Sequence, residues 1–324
     1  MKGSYRIVVK NAVVRYDFEI RRNITILKGD SATGKTTLIE MIREYYENGK
    51  SSGIELNCEK TCSVLSGREW KVLLSVMKEQ IVFIDEGNDF VLSDEFARLA
   101  QESGNYFVIA TREGLVNLPY SVEEIYGIRE SGRYDGLKQT YNELYHIYGE
   151  KLYTETIKPE KVIVEDSNSG FQFYEKLSQN QSWTVVSANG KSNVFDIALE
   201  SGKEQRILVI VDGAAFGPEM DRMMKMMKRR SNIVLYLPES FEWLILSSGI
   251  LNDSGIDKIL DVPSDYIDSK TYFSWERFFT DLLIEKSKGT YLAYAKRKLN
   301  STYLSANAVN KILAKMDRIE LKTE

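Results

Sequence analysis

The chain has 324 residues, more than one hydrophobic core usually serves, so its length predicts two domains. With 43% hydrophobic and 28% charged residues, its composition is that of a folded protein. A single histidine, His146, and two cysteines, Cys58 and Cys62, argue against zinc clusters, Ser-His-Asp triads and a disulfide framework. The 47 Asp and Glu residues favour oxygen-ligated magnesium or manganese instead.

Charge and hydropathy bear on location and partners. No apolar run approaches the roughly 20 residues that span a bilayer, and the N-terminal segment lacks a signal-peptide core, so we expect a cytoplasmic protein with no membrane partner. The net charge is −4, yet residues 286–318 contain eight Lys or Arg and one Asp, a net +7 that leaves −11 elsewhere. This basic segment predicts an anionic partner, unless its charges only form a solvated helix face.

Alternating strand and helix patterns predict an α/β fold with a largely parallel sheet. In chain order the predicted strands are 6–9, 13–20, 24–28, 81–84, 106–110, 161–164, 207–211 and 233–237. The predicted helices are 36–46, 93–102, 170–177 and 218–230. A hairpin is expected over 122–141 with its turn near 131–133, and residues after 263 favour helix.

A phosphate-binding loop stands between the third predicted strand and the first predicted helix. The sequence GDSATGKT matches the P-loop pattern in full, and this context is the one its mechanism requires. Lys35 would reach the β- and γ-phosphates of ATP, and Thr36 would hold Mg²⁺. The predicted nucleotide-binding residues are Gly29, Asp30, Ser31, Ala32, Thr33, Gly34, Lys35, Thr36 and Thr37.

An acidic pair, Asp85-Glu86, closes the apolar predicted strand 81–84 and lies 50 residues beyond Lys35. Downstream of a P-loop, such a pair is typical of a magnesium-dependent NTPase. Asp85 would anchor the hydrated magnesium, and Glu86 would be the catalytic residue that polarises the attacking water.

Leading antiparallel strands, and Leu65-Ser66-Gly67 placed 20 residues before Asp85, resemble the ABC-type ATPases and their RecF, SMC and OLD-type relatives. The resemblance implies an ATP-dependent homodimer or higher oligomer, with Ser66 and Gly67 closing over the partner's nucleotide. Thr111 and Arg112 stand where that family has a switch histidine and would sense the γ-phosphate. The three residues after Gly67 depart from the family signature, and the same stretch fits a helix capped by Ser66.

A second acidic centre is expected from Glu165 and Asp212, which follow predicted strands and lie 47 residues apart. Their pattern resembles the TOPRIM domain, which implies Mg²⁺ or Mn²⁺ bound for phosphodiester chemistry, with Glu165 and Asp212 as catalytic and metal-binding residues. Ala214 occupies the position of the family's second aspartate, which leaves a weaker metal site unless Glu219, Asp221 or Glu239 substitutes, and of these Glu239 is the candidate ligand. The alternative is an α/β domain whose strand-end acids cap helices or face solvent.

The motifs together predict an α/β protein with an ABC-like ATPase domain (1–155), a TOPRIM-like domain (156–262) and a basic helical region (263–324). This order resembles a compact OLD-family protein, which implies an ATPase controlling a nucleic-acid nuclease, with DNA favoured, in defence against phage or mobile elements. The alternative is a nucleotide-switched protein that grips nucleic acid or a protein partner without cutting. Ala214 favours this alternative.

Overall fold

Two separate sets of strands organise the chain, which a computed structural model describes over residues 1–29, 33–131, 139–148, 152–179 and 181–321. One compact unit contains Met1–Glu150 and Val262–Phe273, and the other contains Lys151–Asp261 and Ser274–Glu324. Residues 263–324 are therefore divided between the two units. No helix in the described ranges is long and apolar enough to cross a membrane.

The first unit is built on a curled, mixed sheet of nine strands. The strands are β1 (Tyr5–Lys10), β2 (Val14–Ile20), β3 (Ile24–Leu27), β4 (Glu55–Asn57), β5 (Cys62–Val64), β6 (Ile81–Ile84), β7 (Tyr106–Ala110), β8 (Ile125–Glu130) and β9 (Thr140–His146). Their order across the sheet is β4-β1-β2-β9-β8-β3-β7-β6-β5. Three helices accompany it: α1 (Lys35–Asn48), α2 (Trp70–Val76) and α3 (Asp94–Ser103).

Strands β8, β3, β7, β6 and β5 run parallel to one another, as the apolar strand patterns predict. All residues of β3, β6 and β7 are buried, which is typical of parallel strands covered on both faces. The remaining part of the sheet pairs β1 with β2 and β4, and β8 with β9, in antiparallel fashion. The sheet is thus mixed, and its parallel part carries the predicted nucleotide motifs.

Helix α1 packs on this sheet through four fully or nearly buried side chains: Leu38, Ile39, Met41 and Ile42. Burying a side chain of this size contributes about 1.5–3 kcal/mol. The helix has no side-chain cap at its N-terminus. Packing therefore fixes its position, and its first-turn amides remain available to an anion.

The second unit is built on a wholly parallel sheet of four strands in the order β11-β10-β12-β13. Its strands are β10 (Lys161–Val164), β11 (Thr184–Ser187), β12 (Ile207–Ile210) and β13 (Ile233–Tyr236). Its helices are α4 (Ser169–Ser178), α5 (Lys191–Glu200), α6 (Met220–Met227), α7 (Phe241–Ser247), α8 (Ser254–Asp261), α9 (Trp275–Ser287) and α10 (Ala306–Leu313).

The eight predicted strands are confirmed to within two residues. The antiparallel pair expected over 122–141 is present as β8 and β9, but β9 begins only at Thr140 and ends at His146, so the predicted bounds of its second strand are wrong. Of the predicted turn only Ser131 falls within the described residues. The sequence patterns missed β4, β5 and β11, which have three or four residues each. Strands of four residues such as β6 and β12 were recognised because they are wholly buried apolar runs, a signal that these three strands lack.

Helix α6 shows how the methionine-rich segment is used. Met223 and Met226 are buried, so they pack in the core. Arg230 follows the helix, is buried, and donates to the backbone carbonyls of four residues: Ala198, Leu199, Ser201 and Gly202. The guanidinium of Arg230 is thus hydrogen-bonded inside the unit and cannot contact a nucleic-acid backbone.

Candidate functional site

The predicted nucleotide motifs meet at the carboxyl-terminal ends of the parallel strands in the first unit's sheet. The P-loop follows β3, Asp85 follows β6, and Thr111 follows β7, the strand that lies between those two. The register pairs Leu27 with Ala110 and Ile84 with Ile109. All three strands therefore end at the same level, where open α/β sheets bind their ligands.

The start of α1 is held by a side chain that sequence patterns did not single out. Gly34 has a φ of +90°, and the Tyr16 hydroxyl donates to its carbonyl at 2.9 Å. A Cβ on Gly34 would lie 2.8 Å from that hydroxyl oxygen. Glycine is required here for its backbone conformation and for the approach of Tyr16.

Lys35 is buried and lies among acceptors of the loop and of the acidic pair. Its ammonium donates to the Gly29 carbonyl at 2.6 Å and to Thr33 Oγ1 at 3.3 Å. It also lies 3.3 Å from Glu86 Oε1, an ion pair without hydrogen-bond geometry. Residues Asp30, Ser31 and Ala32 lie outside the described residues.

Thr36 and Asp85 come together as magnesium binding requires. Thr36 Oγ1 donates to Asp85 Oδ1 at 3.4 Å, although the two residues are 49 positions apart. A hydroxyl and a carboxylate are hard oxygen donors of the kind that Mg²⁺ prefers. The pair therefore fits a magnesium ion, with further ligands supplied by phosphate and water.

Glu86 is flanked by two cations. Its Oε1 faces Lys35, and its Oε2 accepts from Arg112 Nε at 3.0 Å. Thr111 is nearly buried, and its hydroxyl is hydrogen-bonded to the backbone of Glu113. This holds the hydroxyl at the cavity that Glu86 also borders. A cavity of about 210 Å³ opens over the acidic pair and these residues.

The segment Leu65–Gly67 directly follows β5 and so lies at the same carboxyl-terminal ends of the parallel strands. Leu65 is buried, whereas Gly67 is exposed with a φ of +80°. Helix α2 begins only at Trp70, with Glu69 at the N-cap position, so Ser66 does not cap it. The helix-cap explanation of this motif is therefore wrong.

Asn88 joins this segment to the acidic pair, and no motif pointed to it. Its Nδ2 donates to the Asp85 carbonyl at 2.9 Å, and its Oδ1 accepts from the Gly67 amide at 3.3 Å. One side chain thus couples Gly67 to the position of Asp85. Only the placement of β5 beside β6 makes this contact possible.

In the second unit, the adjacent parallel strands β10 and β12 bring Glu165 and Asp212 together. Glu165 Oε2 accepts from the Asp212 backbone amide at 3.0 Å. Burial raises the pKa of Glu165 to about 7, and burial with the charges of Glu276 and Glu165 raises that of Asp212 well above its ordinary value. Both carboxyls are therefore harder to ionise than exposed acids are.

Further charged groups surround this pair, among them Glu276, to which no sequence pattern pointed. Glu276 on α9 acts on both acids, while Lys191 at the start of α5 faces Glu165. Lys296 pairs with Glu276 at 2.5 Å, and Glu242 with Glu276 raises the pKa of Lys296 despite burial. These contacts join segments far apart in the chain, which explains why spacing did not reveal them.

The position of the missing aspartate is apolar and closed. Ala214 is 2% exposed, and its amide donates to the Glu239 backbone carbonyl at 3.3 Å. Within the described ranges, no three His, Cys, Asp or Glu side chains are grouped to hold a metal ion. Glu239 thus does not form such a group with Glu165 and Asp212, and these residues do not fit a three-carboxylate metal centre.

Two of the three tyrosines in the basic segment 286–318 are inside the second unit. Tyr294 is 6% exposed and Tyr303 is fully buried, whereas Tyr291 is 76% exposed. The Tyr294 hydroxyl donates to Glu242 Oε1 at 2.7 Å. Tyr294 and Tyr303 are therefore structural.

Comparison with protein-family models finds none that matches the chain, and comparison with curated proteins finds no match either.

Replacing Asn88 with alanine tests the coupling of Gly67 to Asp85. Loss of two hydrogen bonds, each contributing about 1 kcal/mol, should weaken magnesium-dependent ATP binding by up to about thirtyfold. Isothermal titration of Asn88→Ala measures this effect, with Asn57→Ala, an exposed asparagine in the same unit, as the matched control. Equal affinities for the two variants would show that Asn88 does not position the acidic pair.

Proposed function

We propose that the protein binds ATP with magnesium and hydrolyses it in the first unit. The observation that carries this proposal is the convergence of Lys35, Thr36, Asp85 and Glu86 at one sheet edge. These residues come from two strand ends about 50 positions apart. Their types are those that phosphoryl transfer needs: a cation for the phosphates, oxygen ligands for magnesium and a carboxylate for water.

Each side chain has a defined task in this proposal. A triphosphate would compete with Glu86 for the Lys35 ammonium, because phosphate oxygens bear more negative charge than one carboxylate. Glu86, released from that ion pair, would accept a hydrogen bond from the attacking water. Magnesium held by Thr36 and Asp85 would neutralise charge that develops on the phosphates.

Arg112 would link the γ-phosphate of ATP to the carboxylate of Glu86. Its side chain is 61% exposed and its Nε donates to Glu86 Oε2, so it stands at the surface beside the carboxylate, where a γ-phosphate would compete for it. Movement of Arg112 would free the second oxygen of Glu86. This assigns the γ-phosphate sensor to Arg112 in preference to Thr111, whose hydroxyl is engaged with Glu113.

For the second unit we propose a TOPRIM-like module that binds nucleic acid, or a protein partner, without cutting it. One oxygen of Glu165 accepts from the Asp212 amide, Ala214 stands at the position of the third carboxylate, and burial raises the pKa of both acids. Such a centre supplies a weak site for divalent cations. A magnesium- or manganese-dependent nuclease is the second candidate, favoured by the adjacency of Glu165 and Asp212.

The exposed Gly67 and its neighbour Ser66 are proposed to contact the nucleotide of a second copy, as the resemblance to ABC-type ATPases implies. The biological setting, defence against phage or mobile elements, rests on the resemblance to OLD-family proteins alone.

Glu86→Gln separates ATP binding from hydrolysis. The amide keeps the size of the side chain but cannot act as a base, so hydrolysis should fall at least about a hundredfold while ATP affinity stays within about threefold. ATP turnover and ATP binding are measured on the same preparations. In light scattering, ATP should also shift this variant towards a dimer.

Glu102→Gln, at an exposed position on α3, is the matched control and should hydrolyse ATP at the wild-type rate. If Glu86→Gln retains wild-type turnover, the catalytic role of Glu86 is wrong. If it binds ATP without hydrolysing it but remains monomeric, only the proposed dimer is refuted.

The two candidate activities of the second unit are separated with supercoiled DNA in magnesium or manganese. We expect the wild-type protein to retain the DNA intact, with affinity falling as salt rises, because basic residues would carry the binding. Gel mobility reports binding and nicking together. Nicking by the wild type that is lost in both Glu165→Ala and Asp212→Ala would establish the nuclease instead.

A further inference from the structure

Cys58 and Cys62 stand at the two edges of the nine-stranded sheet. Cys58 directly follows β4, which forms one edge, and Cys62 begins β5, which forms the other. They are the only cysteines of the sequence, and both are free thiols. The two edge strands of the largest sheet are thus joined by only four residues, 58–61.

This short connection requires the sheet to curl. Nine flat strands would separate the edges by about 38 Å, at about 4.8 Å per strand. Five residue steps from Asn57 to Cys62 span at most about 18 Å. The edges therefore approach one another, and helix α1 contacts both β4 and β5. We call the connection of β4 to β5 through residues 58–61 the seam.

The thiols lie together at the seam. Both cysteines line the same cavity, Cys58 packs against the core cluster that contains Cys62, and the Cys62 thiol donates to the Lys60 carbonyl at 3.8 Å. Both residues border an open cavity of about 310 Å³, but Cys58 is half-buried whereas Cys62 is only 2% exposed. A small reagent can therefore reach Cys58 more readily than the more deeply buried Cys62.

The surroundings favour a thiolate at Cys58. The Cys62 thiol lowers the pKa of Cys58 to about 7, assisted by the backbone amides of Lys60 and Glu59 and opposed by burial. Burial and the hydrogen bond to Cys58 raise the pKa of Cys62 well above its ordinary value. The titratable groups that face Cys58 are Tyr5, Tyr45, Tyr46, Glu59, Lys60 and Cys62.

We propose that Cys58 is a site of thiol–disulfide exchange with small disulfides such as glutathione disulfide, and that the exchange ends in a Cys58–Cys62 disulfide across the seam. This proposal does not depend on the ATPase assignment. It does not conflict with a reduced resting state, because the bond forms only when an oxidised disulfide is supplied.

The exchange balances in two steps. The Cys58 thiolate attacks one sulfur of glutathione disulfide, which breaks the S–S bond and releases one glutathione thiolate that takes up a proton. Cys62 then loses its proton to water and attacks the Cys58 sulfur, which releases the second glutathione. Two protein thiols are oxidised, and one glutathione disulfide is reduced to two glutathiones.

The test incubates the full-length protein with excess glutathione disulfide and follows intact mass with peptide mapping. The wild type should lose two hydrogens, with the new bond mapped to Cys58 and Cys62. Cys62→Ser should stop at one glutathione adduct on Cys58. Cys58→Ser should react at least about tenfold more slowly than the wild type, because Cys62 is buried.

Two further readouts use the wild-type protein alone. The rate of Cys58 alkylation should rise with pH and level off above about 7, because the thiolate is the reactive form. Amide hydrogen exchange in β4 and β5 should slow in the oxidised form, because the bond holds the seam closed.

The proposal is overturned if the wild type remains a dithiol under excess glutathione disulfide, or if its Cys58 adduct persists without converting to the internal bond. Reaction of Cys58→Ser as fast as wild type would also overturn it, provided that circular dichroism shows the variant to be folded.

Discussion

The parallel register of β3, β7 and β6 is the constraint on which the candidate nucleotide site depends. Because these strands end at one level, the P-loop, Thr111 and the Asp85-Glu86 pair emerge side by side. The strands are fully buried, so the register is fixed by the apolar core and not by the polar groups themselves. Lys35 and Glu86 consequently pair across about 50 residues of sequence.

The second unit uses the same geometry with a different electrostatic outcome. Its adjacent strands also deliver acids to one sheet edge, but Glu165 and Asp212 lie in surroundings that raise their pKa values. In both sites one carboxylate oxygen accepts from a backbone amide, Asp85 from that of Glu86 and Glu165 from that of Asp212, but only Asp85 also has a hydroxyl beside it, that of Thr36. This contrast is why we assign ATP chemistry to the first unit and binding without cleavage to the second.

The features that could be predicted from the sequence are those encoded by short local patterns. The P-loop, the acidic pair and most strands were predicted because each is a short contiguous signal. Tyr16, Asn88 and Glu276 were not, because their contacts depend on which distant strands and helices become neighbours. The seam at Cys58 and Cys62 was missed for the same reason, since two three-residue strands gave no sign of lying at opposite edges.

The central claim is that the sheet edge of the first unit binds ATP through Lys35. The most direct measurement is the affinity for magnesium-ATP of wild type, Lys35→Ala and Arg43→Ala, the last removing a positive charge elsewhere on α1. Our account predicts that Lys35→Ala binds at least about thirtyfold more weakly, as expected for the loss of a buried cation from an ion pair, while Arg43→Ala matches wild type. Unchanged affinity in Lys35→Ala would contradict the assignment of the site.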